Sequence, residues 1–226
     1  MSESRGTVAY KDTVIDATDG QRMAGFWAAA LGLSAEPNGD SGDAVLRDTV
    51  PEHTVWINQV PEPRTVKQRV HLDLHLGSID ELIKLGASVD QEFPHWTVLR
   101  DPEGGEVCGF VRDQDRLSTY RLYELNVDAA DAEAGCRWWA ERFGLQAQHD
   151  PENPWWWLEG GSLPWPMIFA PVPEPKTVKN RIHWDVWGDS AGLLDAGATL
   201  VRGRDDEISW DVLADPEGNE FCVFTR

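Results

Sequence analysis

The stretch PEPRTVKQRVHLDL at residues 61–74 returns at residues 173–186 as PEPKTVKNRIHWDV. Two more stretches recur in the same order at nearly the same spacing. FWAAALGL at 26–33 becomes WWAERFGL at 138–145, and DPEGGEVCGF at 101–110 becomes DPEGNEFCVF at 215–224. Because self-similarity at a fixed period marks duplicated units, the chain is predicted to hold two repeats, over 7–112 and 119–226, with 113–118 as their linker.

Each repeat is predicted to be a helix and strands in a fixed order. After a β-prone run, the apolar residues that follow Asp19 recur with helical period, and Asp19 and Gly32 suit the two helix ends. DPEGG reads as a hairpin turn in which glycine supplies a positive φ. The pattern predicts an α+β fold in which βα is followed by about three strands. In repeat one the predicted strands cover 7–15, 43–47, 54–60, 69–76, 88–93, 96–100 and 106–112, and a second, short helix covers 79–85.

Composition excludes several classes of protein. A formal net charge of −19 disfavours binding to nucleic acid, whose phosphates are held by lysine and arginine. No long apolar run and no secretory leader stand out, so we expect a cytoplasmic protein with no membrane contact. The three cysteines have no CxxC spacing, which predicts buried free thiols rather than disulfides or a zinc-thiolate site.

Strand alternation brings polar side chains onto one face of two strands. His71, Asp73 and His75 share a face of their strand, and Glu106 shares a face of the last strand with Cys108. The same pattern returns in repeat two. A carboxylate on an inward face needs a cation or strong hydrogen-bond donors to offset its desolvation. The sequence thus allows either a metal site or histidines that only hydrogen-bond to neighbouring carboxylates.

The helix ending in ALGL or RFGL and the late DPEGN-E-F strand pair resemble the vicinal oxygen chelate superfamily, which includes glyoxalase I, bleomycin-resistance proteins and extradiol dioxygenases. The resemblance implies tandem domains built of paired βαβββ modules that form cup-shaped sheets. It also implies a divalent metal (Mn, Fe, Ni, Zn or Mg) held by residues of the first, fifth and last strands. Those positions give one set per repeat: Asp12, His71 and Glu106, and then Glu124, His183 and Glu220. Glu106 and Glu220 are also the candidate catalytic residues.

Twelve tryptophans are an unusually large share for a chain of this length. Four recur at matching positions and are predicted core residues: Trp27, Trp96, Trp139 and Trp210. An aromatic pocket suited to a planar or cationic ligand is predicted in repeat two, with a filled core or an interface as the alternative. Its candidate residues are Trp155, Trp157, Trp165, Trp184, Trp187 and Trp210. Trp210 is thus a candidate for both the core and the pocket.

Two functions are compatible with these observations. One is a metal-dependent lyase or isomerase of the glyoxalase type, acting on a small substrate with two vicinal oxygens. The other is a non-catalytic protein that binds a drug or an aromatic molecule, as bleomycin-resistance proteins do. The expected partner in both cases is a small molecule, and the chain is expected to be a monomer or a homodimer.

Overall fold

The computed structural model describes residues 6–226. Its two long helices are α1 (Gly20–Leu31) and α3 (Ala132–Phe143), and its two short ones are α2 (Asp80–Lys84) and α4 (Ser190–Asp195). The predicted ends of α1 are confirmed. The Asp19 carboxylate accepts from the Arg22 N–H at 3.1 Å, and Gly32 ends the helix with φ of 73°.

Sixteen strands fall into four modules, each with a strand, a helix and three further strands. The first module holds β1 (Ala9–Ala17), β2 (Ser34–Pro37), β3 (Ala44–Arg47) and β4 (Val55–Gln59). The second holds β5 (Val70–Leu76), β6 (Ser88–Glu92), β7 (Thr97–Arg100) and β8 (Glu106–Val111). The third holds β9 (Leu122–Ala129), β10 (Gln148–His149), β11 (Trp156–Leu158) and β12 (Met167–Pro171). The fourth holds β13 (Ile182–Trp187), β14 (Thr199–Arg202), β15 (Asp211–Ala214) and β16 (Glu220–Phe224).

The predicted α+β order is confirmed, with one strand added. The strand β2 was missed because its four residues are all exposed and show no apolar alternation. The DPEG turns also form as predicted. Gly104 and Gly218 have φ of 79° and 84°, and the first aspartate of each turn accepts backbone N–H groups within the turn.

The modules combine into two curved eight-stranded sheets. Sheet A has the order β14-β15-β16-β13-β1-β4-β3-β2, and sheet B has the order β10-β11-β12-β9-β5-β8-β7-β6. At the centre of sheet A, β1 pairs antiparallel with β13, and at the centre of sheet B, β5 pairs antiparallel with β9. Sheet A therefore joins the first and fourth modules, sheet B joins the second and third, and neither sheet belongs to one sequence repeat.

The two sheets share one hydrophobic core. Trp139 on α3 is fully buried, and its ring centroid lies 5.0 Å from that of Trp184 and 4.9 Å from that of Phe221, both in sheet A. The same helix packs on β11 and β12 of sheet B. Since one helix serves both sheets, the two halves of the molecule bury their apolar surface together.

Glutamates of the DPEG turns form a second set of contacts between the two sheets, made of hydrogen bonds. Glu103, at the β7–β8 turn of sheet B, accepts the backbone N–H groups of Thr18 and Asp19 at the start of α1, at 2.9 and 2.7 Å. Glu217, at the β15–β16 turn of sheet A, accepts that of Ala130 before α3 at 2.7 Å. Each glutamate places negative charge at the positive end of a helix dipole.

None of the helices in residues 6–226 is long and apolar enough to cross a membrane.

Candidate binding cups

The concave face of each sheet carries the polar residues that the sequence singled out. We call the concave face of sheet B the B cup and that of sheet A the A cup. On the central strands of the B cup, Asp73 lies directly opposite Glu124, and Cys108 of β8 is beside Asp73 in the register. His71 Nε2 is 3.3 Å from Asp73 Oδ1. All four side chains reach the B-cup cavity.

A β-bulge lets two consecutive residues reach each cup. The pairing register shifts at Tyr123, immediately before Glu124, and at Lys11, immediately before Asp12. A bulge adds an unpaired residue and bends the strand, which re-aims its side chain. Tyr123 and Lys11 thus accompany the first-strand carboxylates instead of pointing away from them.

The B cup holds a cavity of about 800 Å³, a volume typical of small-molecule sites. Its floor includes His71, Asp73 and Glu124. Its walls carry aromatic side chains contributed by both repeats. They are Phe93, Trp96, Phe110, Tyr123, Trp155 and Trp157.

Several buried polar atoms of the B cup have no hydrogen-bond partner among the described residues. They include His71 Nδ1, Asp73 Oδ1 and Glu106 Oε2. These three residues are at most 9% exposed and all line the cavity. Because an unpaired buried polar group is costly, they mark places where a ligand can complete the interactions.

Burial shifts the protonation of this cluster. It lowers the pKa of His71 to about 4, so the imidazole is neutral at pH 7. Burial and the facing Glu124 carboxyl raise the pKa of Asp73 well above its usual range. Burial also raises the pKa of Glu124 to about 7 and that of Glu106 above its usual range. The two opposed acids therefore resist carrying two negative charges, although the Arg112 guanidinium favours ionisation of Glu124.

The A cup repeats the cluster but contains its own cation. Asp12 lies directly opposite Asp185, and Cys222 Sγ is 3.6 Å from His183 Nε2. The Lys11 ammonium forms an ion pair with Asp12 and also favours ionisation of Asp185, although burial still raises the pKa of Asp185 to about 7. The Lys11 side chain is only 14% exposed.

Aromatic rings surround the Lys11 ammonium. Its nitrogen is 4.2 Å from the ring centroid of Phe224 and 5.4 Å from that of Trp187, both within cation–π range. The Trp56 indole N–H donates to Asp12 at 3.0 Å. A cavity of about 790 Å³ reaches Lys11, Asp12, Trp56 and Trp187, but its lining does not include His183 or Asp185.

The last-strand glutamates also differ in their partners. In the A cup, Glu220 pairs with Lys176 at 2.6 Å and accepts the Asn180 backbone N–H at 3.1 Å. In the B cup, Glu106 has Arg100 at 3.5 Å and keeps one oxygen without a partner among the described residues. Arg64, which matches Lys176, donates instead to the Val66 carbonyl.

The expected grouping of metal ligands within each repeat is wrong. Asp12 of β1 faces the fourth module, so it lies with His183 and Glu220 rather than with His71 and Glu106. Glu124 in turn lies with His71 and Glu106. The reason is that each sheet pairs one module from each repeat.

The donor atoms that come closest are also not the expected ones. In the described part of the chain, the groups whose donor atoms all lie within 4.8 Å of one another are His71, Asp73 and Cys108 in the B cup and their matches His183, Asp185 and Cys222 in the A cup. Neither group includes Glu106 or Glu220. The prediction that all three cysteines are buried and free is confirmed, but two of them lie among candidate ligands.

The predicted aromatic pocket of repeat two is divided between the two cups. Trp155 and Trp157 line the B-cup cavity, whereas Trp187 lines the A-cup cavity and Trp210 stacks on Phe224, with ring centroids 5.1 Å apart. Trp184 is fully buried against α3. Trp165 is also in the core, edge-on to the Tyr10 ring at 5.1 Å.

Core placement of the recurring tryptophans is confirmed for Trp27 and Trp139, which are fully buried. It is wrong for Trp96, which is half-buried and lines the B-cup cavity. Trp210, at the matching position, is also half-buried. Both residues come directly before a strand, β7 or β15, that neighbours the edge strand of its sheet.

Sequence reasoning also missed the bulge residues Lys11 and Tyr123. Strict alternation places each of them on the face opposite to its neighbouring acid, and no local motif signals a bulge. The useful signal in the sequence is a difference between the repeats, which marks these positions as unlike in the two cups. Lys11 corresponds to Tyr123, and Trp56 corresponds to Ile168.

Comparison with known proteins agrees with this architecture. A family model described as a glyoxalase-like domain matches the chain twice, over residues 12–110 and 124–224. No curated protein matches the sequence.

Three solved structures share the fold at low sequence identity. Glyoxalase I from Zea mays is 12% identical with a TM-score of 0.66, over 96% of this chain and 92% of that one. A protein of Bacillus subtilis strain 168 that carries a provisional dioxygenase name is 12% identical with a TM-score of 0.65, over 98% and 86%. The cppA protein of Streptococcus pneumoniae TIGR4 is 11% identical with a TM-score of 0.53, over 97% and 99%. These three structures show the shared fold, and the twofold family match shows that the chain belongs to the glyoxalase-like domain family, as a tandem of two such domains.

Proposed function

We propose that the protein binds a small organic molecule in the B cup. The observation that carries this proposal is the set of buried polar atoms without partners that faces the 800 Å³ cavity, above all Asp73 Oδ1 and Glu106 Oε2. A folded protein rarely leaves such atoms unsatisfied, and functional sites are the usual exception. We assign no ligand to the A cup, where Asp12 and Glu220 pair with Lys11 and Lys176 and where His183 and Asp185 do not line the cavity.

The B cup also fits a divalent metal ion, so a lyase or isomerase is one form of this function. His71, Asp73 and Cys108 would hold the ion, with Glu124 opposite Asp73. An imidazole, carboxylates and a thiol suit Zn²⁺, Fe²⁺, Mn²⁺ or Ni²⁺ better than Mg²⁺, which prefers oxygen ligands. Such an ion would supply Lewis acidity to a substrate with two vicinal oxygens.

Within that chemistry the chain's own residues have separable roles. Trp155 and Trp157 bind the flat or apolar part of the substrate and exclude water. Glu106 is the candidate for general acid–base work, because burial raises the pKa of its carboxyl above the ordinary glutamate range. Lys67, which forms an ion pair with Asp128 at 2.6 Å, also lines the cavity.

A non-catalytic binding protein is the second candidate. It is favoured by the aromatic walls and by the 3.5 Å contact between Arg100 and Glu106, which holds the candidate proton carrier in a fixed ion pair. The two candidates share the same pocket, and metal content separates them.

Metal analysis of three proteins tests the enzymatic form. We would measure bound metal by elemental mass spectrometry in the parent, in His71→Ala and in the matched variant His183→Ala. A near-stoichiometric ion that is lost in His71→Ala and kept in His183→Ala supports a metal-dependent enzyme. An absence of metal after incubation with Mn²⁺, Ni²⁺ and Zn²⁺ favours the binding protein.

Indole NMR signals test the binding site itself. A mixture of small organic compounds should shift the side-chain N–H signals of Trp96, Trp155 and Trp157 and leave those of Trp187 and Trp210 unchanged. Ile168→Trp, which gives the B cup the residue that the A cup has at this position, should weaken these shifts by filling the cavity. Shifts confined to the A-cup signals would contradict the proposal.

A further inference from the structure

The two cups differ in what neutralises their paired acids. In each cup the two central strands place one acid directly opposite another. The pair is Asp12 and Asp185 in the A cup, and Glu124 and Asp73 in the B cup. Like charges in this position repel, and buried anions are costly without a positive partner. The source of that positive charge is therefore informative about each cup.

In the A cup the positive charge is a primary ammonium that belongs to the chain. The Lys11 nitrogen pairs with Asp12 and lies over the rings of Phe224 and Trp187 at 4.2 and 5.4 Å. Acids on one side and aromatic faces on the other are a known way to recognise an organic cation. The A cup thus displays, within the protein, a complete ammonium site.

The B cup keeps much of this site but has no ammonium in it. The Arg112 guanidinium lies over the Phe110 and Tyr123 rings at 5.6 and 5.8 Å, but Arg112 is not among the residues that line the cavity. Tyr123 occupies the Lys11 position and stacks on His75, which matches Trp187, with ring centroids 4.0 Å apart. Phe110 matches Phe224 and lies 5.4 Å from the same tyrosine ring. The indole donor of Trp56 is also lost, because its match is Ile168. The acids remain. Asp73 Oδ1 accepts no hydrogen bond among the described residues and lines the B-cup cavity, whereas its equally unsatisfied match, Asp185 Oδ1, does not belong to a residue that lines the A-cup cavity.

The rest of the cavity favours a cation as well. Seven carboxylate residues line it, against two cationic side chains, Lys67 and Arg100. Both of these already pair with acids, Lys67 with Asp128 at 2.6 Å and Arg100 with Asp90 at 2.7 Å. An acidic cleft concentrates cations, and the chain as a whole has a net charge of −19.

We propose that the ligand of the B cup is an organic cation, namely a protonated amine or quaternary ammonium on a flat, apolar body. Its charged nitrogen lies against Asp73 and Glu124, and its body packs against Trp155 and Trp157. The inference rests on the proposed small-molecule function of the B cup and specifies the class of that molecule.

Phenethylamine and phenethyl alcohol form a matched pair of probes, because they have nearly the same shape and only the amine is charged at pH 7.5. We would titrate each into EDTA-treated full-length protein and follow the indole signals of Trp96, Trp155 and Trp157. The amine should bind with a dissociation constant about tenfold lower than that of the alcohol, which corresponds to about 1.4 kcal/mol.

Two substitutions locate the charge. Tyr123→Lys gives the B cup the lysine of the A cup and should abolish the preference for the amine. The control Leu200→Lys adds the same charge at a residue of β14 that is 54% exposed, and should leave the preference intact. Asp73→Asn removes one acid without adding a residue from the A cup, and should reduce the preference even if Tyr123→Lys fails to fold.

The outcomes separate this inference from the proposed function. Equal binding of amine and alcohol at the B-cup indoles would overturn the proposal of a cationic ligand but leave the proposed small-molecule site intact. A near-stoichiometric metal in the untreated protein that is lost in Asp73→Asn also overturns it, since the metal then supplies the charge. No shift of the B-cup indoles with either probe at millimolar concentration overturns both proposals.

Discussion

The A cup and the B cup are built from the same strand positions and carry the same histidine, aspartate and cysteine, yet their acids are satisfied in different ways. In the A cup two lysines of the chain, Lys11 and Lys176, pair with the carboxylates. In the B cup their matches are Tyr123 and Arg64, and Glu106 keeps an oxygen without a partner among the described residues. One or two relocated positive charges therefore change which acids of the duplicated cluster are paired within the chain.

The largest expected effect comes from separating the repeats, because each cup needs one module from each of them. Residues 7–112 alone contain the first and second modules, which form halves of different sheets. We expect this fragment to be folded only as a dimer, in which each sheet takes one module from each chain. Light scattering should give a dimer mass, and the melting temperature should rise with protein concentration. A folded monomer would contradict the module exchange.

Removal of the internal cation should have the next largest effect. Lys11→Met leaves Asp12 buried without its ion pair, which should lower the free energy of unfolding by about 3 kcal/mol. The matched change Tyr123→Met removes a ring that contacts His75 and Phe110 but leaves no ion pair broken, and it should cost about 1 kcal/mol. Urea unfolding at pH 7 measures both.

The double variant Lys11→Met/Asp12→Asn serves as the control for this prediction. Removing the uncompensated charge together with the lysine should recover much of the lost stability. If Lys11→Met costs no more than Tyr123→Met, the A cup does not depend on its lysine and the contrast between the cups fails.

The smallest effect concerns the turns that hold the sheets together. Burial alone would raise the pKa of Glu103, but hydrogen bonds from Thr18 and Asp19 and the nearby Arg181 hold it below the usual glutamate range. A depressed pKa contributes stability above the unfolded value of about 4.3, and the contribution is lost as the pH falls through the folded value. Glu103→Gln should therefore cost about 1 kcal/mol at pH 7 and progressively less below pH 4.

Glu217→Gln is the matched variant in the other half of the molecule. Glu217 accepts the N–H groups of Ala130 and Asp131 at 2.7 and 3.3 Å, without the Thr18 hydroxyl and arginine contacts of Glu103. Its cost at pH 7 should be smaller, about half of that of Glu103→Gln. Urea unfolding between pH 7 and pH 3 gives both values, and equal costs would mean that neither the Thr18 hydroxyl nor Arg181 contributes.

Local features of the fold could be predicted from the sequence, because they depend on neighbouring residues. The ends of α1 at Asp19 and Gly32 and the positive φ of Gly104 follow from capping and turn chemistry. The two inward faces that carry His71 and Glu106 follow from strand alternation. Each of these predictions needs only a few residues of context.

The composition of the site could not be predicted in the same way. Asp12 and His71 belong to one repeat, and nothing local shows that their strands join different sheets. The bulges at Lys11 and Tyr123 break the alternation without a glycine or other sequence signal. Tertiary pairing and backbone irregularity decide which side chains meet, and both depend on contacts between residues far apart in the chain.

The module exchange also bears on how proteins of this design can evolve. Residues 113–118 separate the two sequence repeats, but neither cup lies wholly on one side of that segment. A recombination event there, joining repeat one of this chain to repeat two of a relative, would replace half of each cup at once. His71 and Glu106 would be kept while Glu124, Trp155 and Trp157 came from the other parent. Shuffling at this seam would produce hybrid pockets with new specificities, instead of passing on either pocket intact.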